Sequence, residues 1–237
     1  MSELEDRQRL LARSFLFSCQ TNDAVAELAR MAKRFTVPAG TVVFSKGEPG
    51  QRMYAIVAGN IKIGTVSDMG REIVFGLLGP SEFFGELSLL DGHARSATAT
   101  ALSRTELLAI ERRDFLAGLE RHPRFATDLL QALARRMRSI DTFIEDGAFL
   151  SLSARLAKYL ARLAREFGTP AAQGVRIGIR LSQQEIANLV GASRESVNKL
   201  MRLWTQAGLI GRDGSHVVVI DAEQLEAFEK CGNVAGM

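Results

Sequence analysis

The hydrophobic pattern of this 237-residue chain changes its period once, and that change limits the folds open to it. Between Phe35 and about Ala109, apolar residues occur in short runs of β-branched and aromatic types, separated by turn residues such as Gly59-Asn60. Each run has the length of a strand. From Arg124 onwards, apolar residues recur at helical spacing instead. The sequence therefore predicts an α+β fold in which a compact, jelly-roll-like β-roll precedes helices.

The helical segment from Arg124 to Glu145 carries one apolar stripe. A stripe sustained over about three heptads favours a coiled-coil seam between two copies of the chain. The alternative is a single helix that buries the same stripe on its own domain. We therefore predict a long dimerisation helix, interrupted at Gly147, and a homodimer. The stripe consists of Leu130, Leu133, Met137, Ile140 and Ile144.

A helix-turn-helix pattern follows in the last third of the chain. Ser182 and Glu185 have the spacing of a capping box, which opens a short helix. Gly191 can end that helix in a left-handed conformation, and Ser193 can cap a second helix from Arg194 to Gln206. The next turn residues, Gly211-Arg212-Asp213-Gly214-Ser215, lie between apolar runs and predict a β-hairpin. Together these elements predict a winged helix-turn-helix.

The second helix of such a motif presents its N-terminal residues to base edges of DNA. Arg and Lys suit guanine and Glu accepts from cytosine, so a G·C-containing half-site is favoured. The predicted base-reading residues are Arg194, Glu195, Asn198 and Lys199. The predicted phosphate contacts, which position the helix, are Ser182, Gln183, Ser193 and Ser196. A solvated helix face is the alternative.

The stretch from Gly85 to Ala97 contains the residue types needed to hold a cyclic nucleotide monophosphate. A glycine lets the backbone approach a ligand, and the carboxylate of Glu86 can accept hydrogen bonds from a ribose hydroxyl. Arg95 followed by Ser96 can bind a phosphate. The residues expected to hold the intervening segment against the core are Leu87, Leu89 and Leu90. A surface ion pair between Glu86 and Arg95 is the alternative.

Composition limits the remaining function classes. The two cysteines, Cys19 and Cys231, have no metal-binding spacing and no disulfide framework, so a reducing cytoplasm is expected. No apolar run approaches the roughly 18 residues of a membrane helix, so no membrane partner is expected. A net charge of +3 is compatible with nucleic acid. No nucleophile has a base nearby, so we predict no enzyme. A cyclic nucleotide hydrolase with Glu86 as base is the alternative.

Two motifs, in this order and at this distance, resemble the cyclic-AMP receptor protein and fumarate-nitrate regulator (CRP/FNR) family of bacterial transcription regulators. One is Gly85-Glu86-Leu87 with Arg95-Ser96-Ala97, and the other is Ala192-Ser193-Arg194-Glu195-Ser196-Val197. The resemblance implies a homodimer that binds an effector in the β-roll and double-stranded DNA through the winged helix-turn-helix, with RNA polymerase as a further partner. It also implies that Glu86 meets the ribose, that Arg95 and Ser96 meet the phosphate, and that Arg136 supports Glu86.

The departures from the cyclic-AMP members of the family concern base choice. Ile140 and Asp141 stand where those members have a Thr-Ser pair that contacts adenine. Asp141 could accept the N1 and N2 hydrogens of guanine, or it could simply be solvated. We therefore predict cyclic AMP or cyclic GMP as effector, with cyclic di-GMP or a vestigial pocket as alternatives. Lys199 and Gln183 replace family arginines, so a two-fold site with relaxed GTGA-like half-sites is expected.

Other effectors of the family need ligands that this chain lacks. An iron–sulfur cluster requires about four cysteines. A haem would need His93 as axial ligand, for which a solvent-facing loop residue is the alternative. No prosthetic group or metal is therefore predicted. The predicted domains are a β-roll with an N-terminal helix (1–123), a dimerisation helix and hinge (124–147) and a winged helix-turn-helix (148–237).

Overall fold

The computed structural model describes residues 3–13 and 22–231. This part of the chain folds as two compact units. The first comprises Phe75–Arg138 and the described residues of Met1–Thr65. The second comprises Val66–Val74 and the described residues of Ser139–Met237. Cys19 lies outside the described residues, whereas Cys231 is the last residue of the final helix.

Two four-stranded sheets form the roll. Its strands are β1 (Lys33–Val37), β2 (Val42–Phe44), β3 (Arg52–Ala58), β4 (Ile61–Val66), β5 (Glu72–Leu78), β6 (Phe83–Phe84), β7 (Thr98–Ala101) and β8 (Thr105–Glu111). The strand order is β1-β8-β3-β6 in one sheet and β2-β7-β4-β5 in the other. The pairs β1–β8, β3–β8, β3–β6, β2–β7 and β4–β7 are antiparallel. The predicted β-roll is confirmed.

Strand β3 is buried on both faces, and its side chains alternate between two apolar clusters. Met53 and Ala55 belong to the cluster beneath the helices, whereas Tyr54 and Ile56 belong to the cluster inside the roll. A strand covered on both faces has no polar side, which explains the continuous apolar run of the sequence here. The matching residues of β8 are Leu108 and Ile110 under the helices and Leu107 and Ala109 inside the roll.

The helices of the first unit pack on the outer face of this sheet. Leu11, Leu28, Phe115 and Phe125 are almost completely buried and belong to one cluster with β3 and β8. The rings of Phe115 and Phe125 meet edge to face, with centroids 5.6 Å apart. The helices are α1 (Glu3–Arg13), α2 (Asn22–Met31), α3 (Leu87–Asp91), α4 (Arg112–Arg121) and α5 (Pro123–Phe149), of which α5 belongs to this unit up to Arg138.

Helix α5 continues through Gly147, so the predicted interruption there is wrong. A glycine inside a helix costs only about 1 kcal/mol relative to alanine. Beyond Gly147 the helical hydrogen bonding continues, since Leu150 N donates to Asp146 O at 3.1 Å. The helix ends where Ser151 caps the next one. Four members of the apolar stripe are more than half exposed in the single chain: Leu130, Met137, Ile140 and Ile144.

The second unit contains the predicted helix-turn-helix and wing. Its helices are α6 (Leu152–Phe167), α7 (Gln183–Val190), α8 (Arg194–Gln206) and α9 (Ala222–Cys231). Its strands are β9 (Gly168–Pro170), β10 (Val175–Ile177), β11 (Ile210–Asp213) and β12 (His216–Val219), in the order β11-β12-β10-β9. Helix α9 was not predicted; its Phe228 ring packs on Trp204 of α8 at 5.7 Å. The predicted winged architecture is confirmed.

Candidate functional site

Glu86 is a deeply buried carboxylate in the first unit, only 2% exposed. It lies between β6 and α3, where Gly85 ends the strand. Its Oε1 accepts a hydrogen bond from Arg136 Nη1 at 2.5 Å. Its Oε2 is also buried and has no hydrogen-bond partner among the described residues. An unsatisfied buried acceptor is unfavourable, so this oxygen fits a ligand that brings a hydroxyl donor.

Arg95 follows α3 and is 5% exposed. Its Nη1 and Nη2 donate to the carbonyl oxygens of Gly85 and Arg52, each at 2.6 Å. A guanidinium has five N–H donors, and the buried Nε of Arg95 has no partner among the described residues. Burial lowers the pKa of this guanidinium below its ordinary value, because desolvation disfavours the charged form. A buried cation whose bonds go to neutral carbonyls fits an anionic ligand.

An aromatic cluster supports the Arg95 guanidinium. Its Cζ lies 4.1 Å from the centroid of the Phe44 ring, which is cation–π geometry. The Phe44 ring in turn lies 6.0 Å from that of Tyr54 and 5.8 Å from that of Phe84. All three rings are buried. Phe44 was not predicted from the sequence, because only the pairing of β2 with β7 brings it near Arg95.

Two glycines let the backbone close around Arg95. Gly85 has a φ of +82°, and a Cβ there would lie 2.8 Å from Arg95 Nη1. A Cβ at Gly50 would lie 2.3 Å from Ser88 Cβ and 3.1 Å from Arg95 Cζ. Gly85 was predicted from the sequence, whereas Gly50 and Ser88 were not. The one local signal for Gly50 was its place in a turn after Pro49.

Arg136 connects helix α5 to this site. Besides its ion pair with Glu86, it donates through Nη2 to the carbonyl oxygen of Phe83. Its Cζ lies 4.5 Å from the Phe83 ring. The residue also follows Leu133 and precedes Met137 on the helix that carries the apolar stripe. Arg136 therefore lies on the same helix as Leu133 and Met137 of the stripe and links that helix to the buried carboxylate of Glu86.

The short helix α3 packs differently from the prediction. Leu87 and Leu90 are 44% and 36% exposed, so the expectation that both hold the segment against the core is wrong. Leu89 is fully buried and Ser88 is 3% exposed. The reason is helical geometry, because a single turn directs only some of its consecutive side chains to the core.

The remaining predicted ligand residues have different environments. Ala97 is buried, with 7% exposure. Ser96 is exposed beside it. Asp141 and Ile140 are both exposed on α5. The contacts of the described residues thus bring together Gly85, Glu86, Arg95 and Arg136, whereas the contribution of Asp141 stays a prediction.

Local capping defines the two helices of the second unit's motif. Ser182 Oγ accepts from Glu185 N at 3.2 Å, and Glu185 Oε2 accepts from Ser182 N at 2.7 Å. Gly191 has a φ of +66° and ends α7. Ser193 Oγ accepts from Ser196 N at 3.2 Å and caps α8. The predicted capping box, glycine turn and second cap are confirmed.

The predicted base-reading residues lie in the first two turns of α8. Arg194, Glu195 and Lys199 are exposed, and Asn198 is half-buried. The pKa of the Glu195 carboxyl is lowered, first by a hydrogen bond from its own backbone N–H and then by one from the Ser193 hydroxyl. An ionised carboxylate only accepts hydrogen bonds, which is the chemistry that a cytosine N4 donor requires.

Gln183 and the wing complete this surface. Gln183, predicted to contact phosphate, donates through Nε2 to Asn198 Oδ1 at 2.9 Å. A neighbouring cavity of about 510 Å³ is lined by Ser182, Gln183, Gln184, Arg194 and Arg212. Arg212 belongs to β11 of the wing and was missed, although a cation beside the hairpin turn was a local signal. Two arginines beside a helix N-terminus fit a phosphate group.

Arg155 of α6 connects the end of α5 to the motif within the second unit. Its guanidinium donates to the carbonyl oxygen of Leu150 at 3.0 Å and to that of Val190 at 3.2 Å. Val190 is the last residue of α7. One cation therefore interacts with the negative ends of two helix dipoles.

The described residues offer no metal centre and no membrane-spanning helix. Within residues 3–13 and 22–231, no group of three or more His, Cys, Asp or Glu side chains could hold a metal ion. His93 is exposed. None of the helices in this part of the chain is long and apolar enough to cross a membrane.

Two protein families match two separate parts of the chain. Residues 34–122 match the cyclic nucleotide-binding domain family, and residues 154–228 match the Crp-like helix-turn-helix domain family. The CRP-like cAMP-activated global transcriptional regulator of Mycobacterium tuberculosis is 37% identical over 91% of this chain and 96% of its own length. The cyclic AMP receptor protein of Thermus thermophilus is 36% identical over 82% of this chain and 87% of its own length.

The chain is also similar to a solved structure of a transcription regulator. The c-di-GMP responsive global regulator CLP of Xanthomonas campestris aligns with a TM-score of 0.74 at 26% identity, over 84% of this chain and 99% of that chain. Because the relatives are transcription regulators, the prediction that the chain is not an enzyme is confirmed. The chain belongs to the CRP/FNR family of DNA-binding transcription regulators, and it combines a cyclic nucleotide-binding domain with a Crp-like helix-turn-helix.

Proposed function

We propose that this protein is a homodimeric regulator whose affinity for a palindromic DNA site is controlled by cyclic AMP or cyclic GMP bound in the β-roll. One observation carries the proposal. Glu86 Oε2 and Arg95 Nε are both buried without partners among the described residues. One is an acceptor and the other a charged donor. A ribose hydroxyl and a cyclic phosphate on one ligand supply the two complementary groups.

The choice between effectors depends on the base. The relatives from M. tuberculosis and T. thermophilus are named for cyclic AMP, and the one from X. campestris for cyclic di-GMP. The contacts to ribose and phosphate are common to cyclic AMP and cyclic GMP. Asp141 is the residue through which guanine would be preferred, because an exposed carboxylate can accept two hydrogens from one guanine edge.

Calorimetric titration of the purified protein with cyclic AMP, cyclic GMP and cyclic di-GMP tests this proposal. We expect cyclic AMP or cyclic GMP to bind with micromolar affinity, at about one molecule per subunit. If cyclic GMP binds more tightly, Asp141→Asn should reduce that preference and leave cyclic AMP affinity unchanged. If none of the three nucleotides binds and none of them changes the affinity for DNA, the protein is a nucleotide-independent DNA-binding protein with a vestigial pocket.

The apolar stripe of α5 supports the dimer. Its exposed members follow a heptad spacing along one helix, as in a two-stranded coiled coil. A two-fold dimer presents two α8 helices, so the DNA site has two inverted half-sites. We propose GTGA-like half-sites, contacted by Arg194, Glu195 and Lys199. Ser182, Ser193 and Arg212 are the proposed phosphate contacts.

Replacing Glu195 by alanine should relax base preference at one position of each half-site. The loss corresponds to roughly 1–3 kcal/mol of discrimination, because the variant removes the acceptor for a cytosine N4 donor. Competition binding between duplexes that differ only at that base pair measures the effect. Glu223→Ala, a change in the first turn of α9, is the control and should leave every preference unchanged. An equal loss of affinity on all sequences would assign Glu195 a structural role instead.

A further partner, a location and the domain bounds follow from this proposed function. A regulator of transcription acts on DNA and on RNA polymerase, so we propose polymerase as a partner and the bacterial cytoplasm as the location. We propose residues 1–123 as the nucleotide-binding part, 124–147 as the dimerisation helix and hinge, and 148–237 as the DNA-binding part.

A further inference from the structure

The side chains of Gln183 and Asn198 join the two helices of the DNA-binding motif. Gln183 is the first residue of α7, directly after the capping residue Ser182. Asn198 lies on α8 one turn after Arg194. Gln183 Nε2 donates to Asn198 Oδ1 at 2.9 Å, and both residues are half-buried. The amide of Asn198 therefore has one of its two ends held by the neighbouring helix.

This bond changes what Asn198 can read. A free asparagine contacts adenine through both ends of its amide, since Oδ1 accepts from N6 and Nδ2 donates to N7. In this protein Oδ1 faces Gln183. The carboxamide is planar, so its Nδ2 is directed away from Oδ1. The hydrogen bond to Gln183 uses Oδ1 alone, so Nδ2 remains a donor that DNA can use.

We propose that Gln183 determines the hydrogen-bonding polarity of Asn198 and thereby the base that Asn198 selects. With Oδ1 held towards Gln183, Asn198 presents Nδ2 as a donor. A donor suits the acceptor edges of guanine (O6 and N7) and thymine (O4) and disfavours cytosine. The bond also fixes the rotation of the amide, which disfavours the two-ended contact with adenine even though Oδ1 keeps a second lone pair. Gln183 acts here as a positioning residue for specificity. This inference rests on the proposed reading of DNA by α8.

The decisive variant is Gln183→Glu, tested as the full-length dimer with saturating effector. The new carboxylate can only accept, so Asn198 must turn its amide to donate Nδ2 and present Oδ1 to DNA. Selection from duplexes with randomised half-sites, followed by anisotropy on duplexes that differ at one base pair, measures preference. We expect the preferred base at one position of each half-site to change from guanine or thymine to cytosine or adenine. The ratio of the affinities for the two kinds of duplex should change about tenfold.

Two further variants make the result specific. Gln184→Glu places the same charge one residue later, but the Gln184 side chain donates to Asn188 at 2.8 Å. It should weaken binding to all sequences equally and leave base preference unchanged. Asn198→Asp keeps the shape and presents an acceptor even while Gln183 donates to it, so it should shift preference in the same direction as Gln183→Glu. Thermal unfolding of each variant checks that it folds.

Two outcomes would overturn the inference while leaving the proposed function intact. One is identical base preference in Gln183→Glu and Gln184→Glu. The other is that the wild-type protein prefers cytosine or adenine at the base pair where Asn198→Ala abolishes base preference. A wild-type protein without base preference at any position would instead contradict the proposed reading of DNA itself.

Discussion

We expect replacement of Arg95 by alanine to reduce cyclic nucleotide affinity by about 100-fold or more, which corresponds to roughly 3 kcal/mol. Arg95 is a buried cation, and the phosphate that it would bind loses its water on entering the pocket. Without the guanidinium, the phosphate charge would be desolvated and unpaired. Calorimetric titration with the effector measures the loss, and analytical ultracentrifugation should show that the variant remains a dimer.

The control must separate ligand binding from folding, because Arg95 also donates to the carbonyls of Gly85 and Arg52. Arg95→Lys keeps the charge with fewer donors and should bind with intermediate affinity. Arg52→Ala removes a side chain that pairs with Glu111 at 2.7 Å and keeps the carbonyl that Arg95 uses, so nucleotide affinity should stay unchanged. Unchanged affinity in Arg95→Ala would show that the nucleotide binds elsewhere.

The second large effect is expected from Met137→Asp in the apolar stripe of α5. Met137 is 68% exposed in the single chain, and the proposed dimer would bury it against the same residue of the second copy. Two carboxylates would then face each other without water, which is strongly unfavourable. We expect a monomer at micromolar concentration, and DNA binding weakened by about 100-fold or more, because only one half-site contact remains.

Sedimentation and DNA anisotropy measure these two losses together. Gln131→Asp is the matched control, because it adds the same charge to an exposed position of α5 beside the stripe. That variant should remain a dimer and bind DNA like the wild type. If Met137→Asp also remains dimeric, the two copies associate through another surface and the stripe has a different role.

Local patterns predicted those elements whose determinants are neighbours in the chain. The capping box of Ser182 and Glu185, the left-handed Gly191 and the bounds of α8 all agree with the structure, because a cap and the backbone groups it satisfies lie within a few residues. The same locality explains an error. Gly147 looked like a helix end, but its backbone cost is small and the helix continues to Phe149.

The residue types of the candidate sites were also evident from the sequence. Gly85, Glu86 and Arg95 stand within one short segment, and Arg136 was assigned to Glu86 through the family resemblance. The sequence did not reveal which atoms remain unsatisfied. That depends on carbonyls and rings supplied by other strands, such as the Arg52 carbonyl and the Phe44 ring beside Arg95.

By itself, the sequence thus determined the order of elements, the caps and the chemical types available at each site. Only the tertiary structure decided which groups are buried, which are paired and which are left for a ligand. Hydrophobic period and capping act between residues close in the chain. Burial and hydrogen-bond satisfaction depend on contacts between distant segments, such as Gln183 with Asn198 or Arg136 with Glu86.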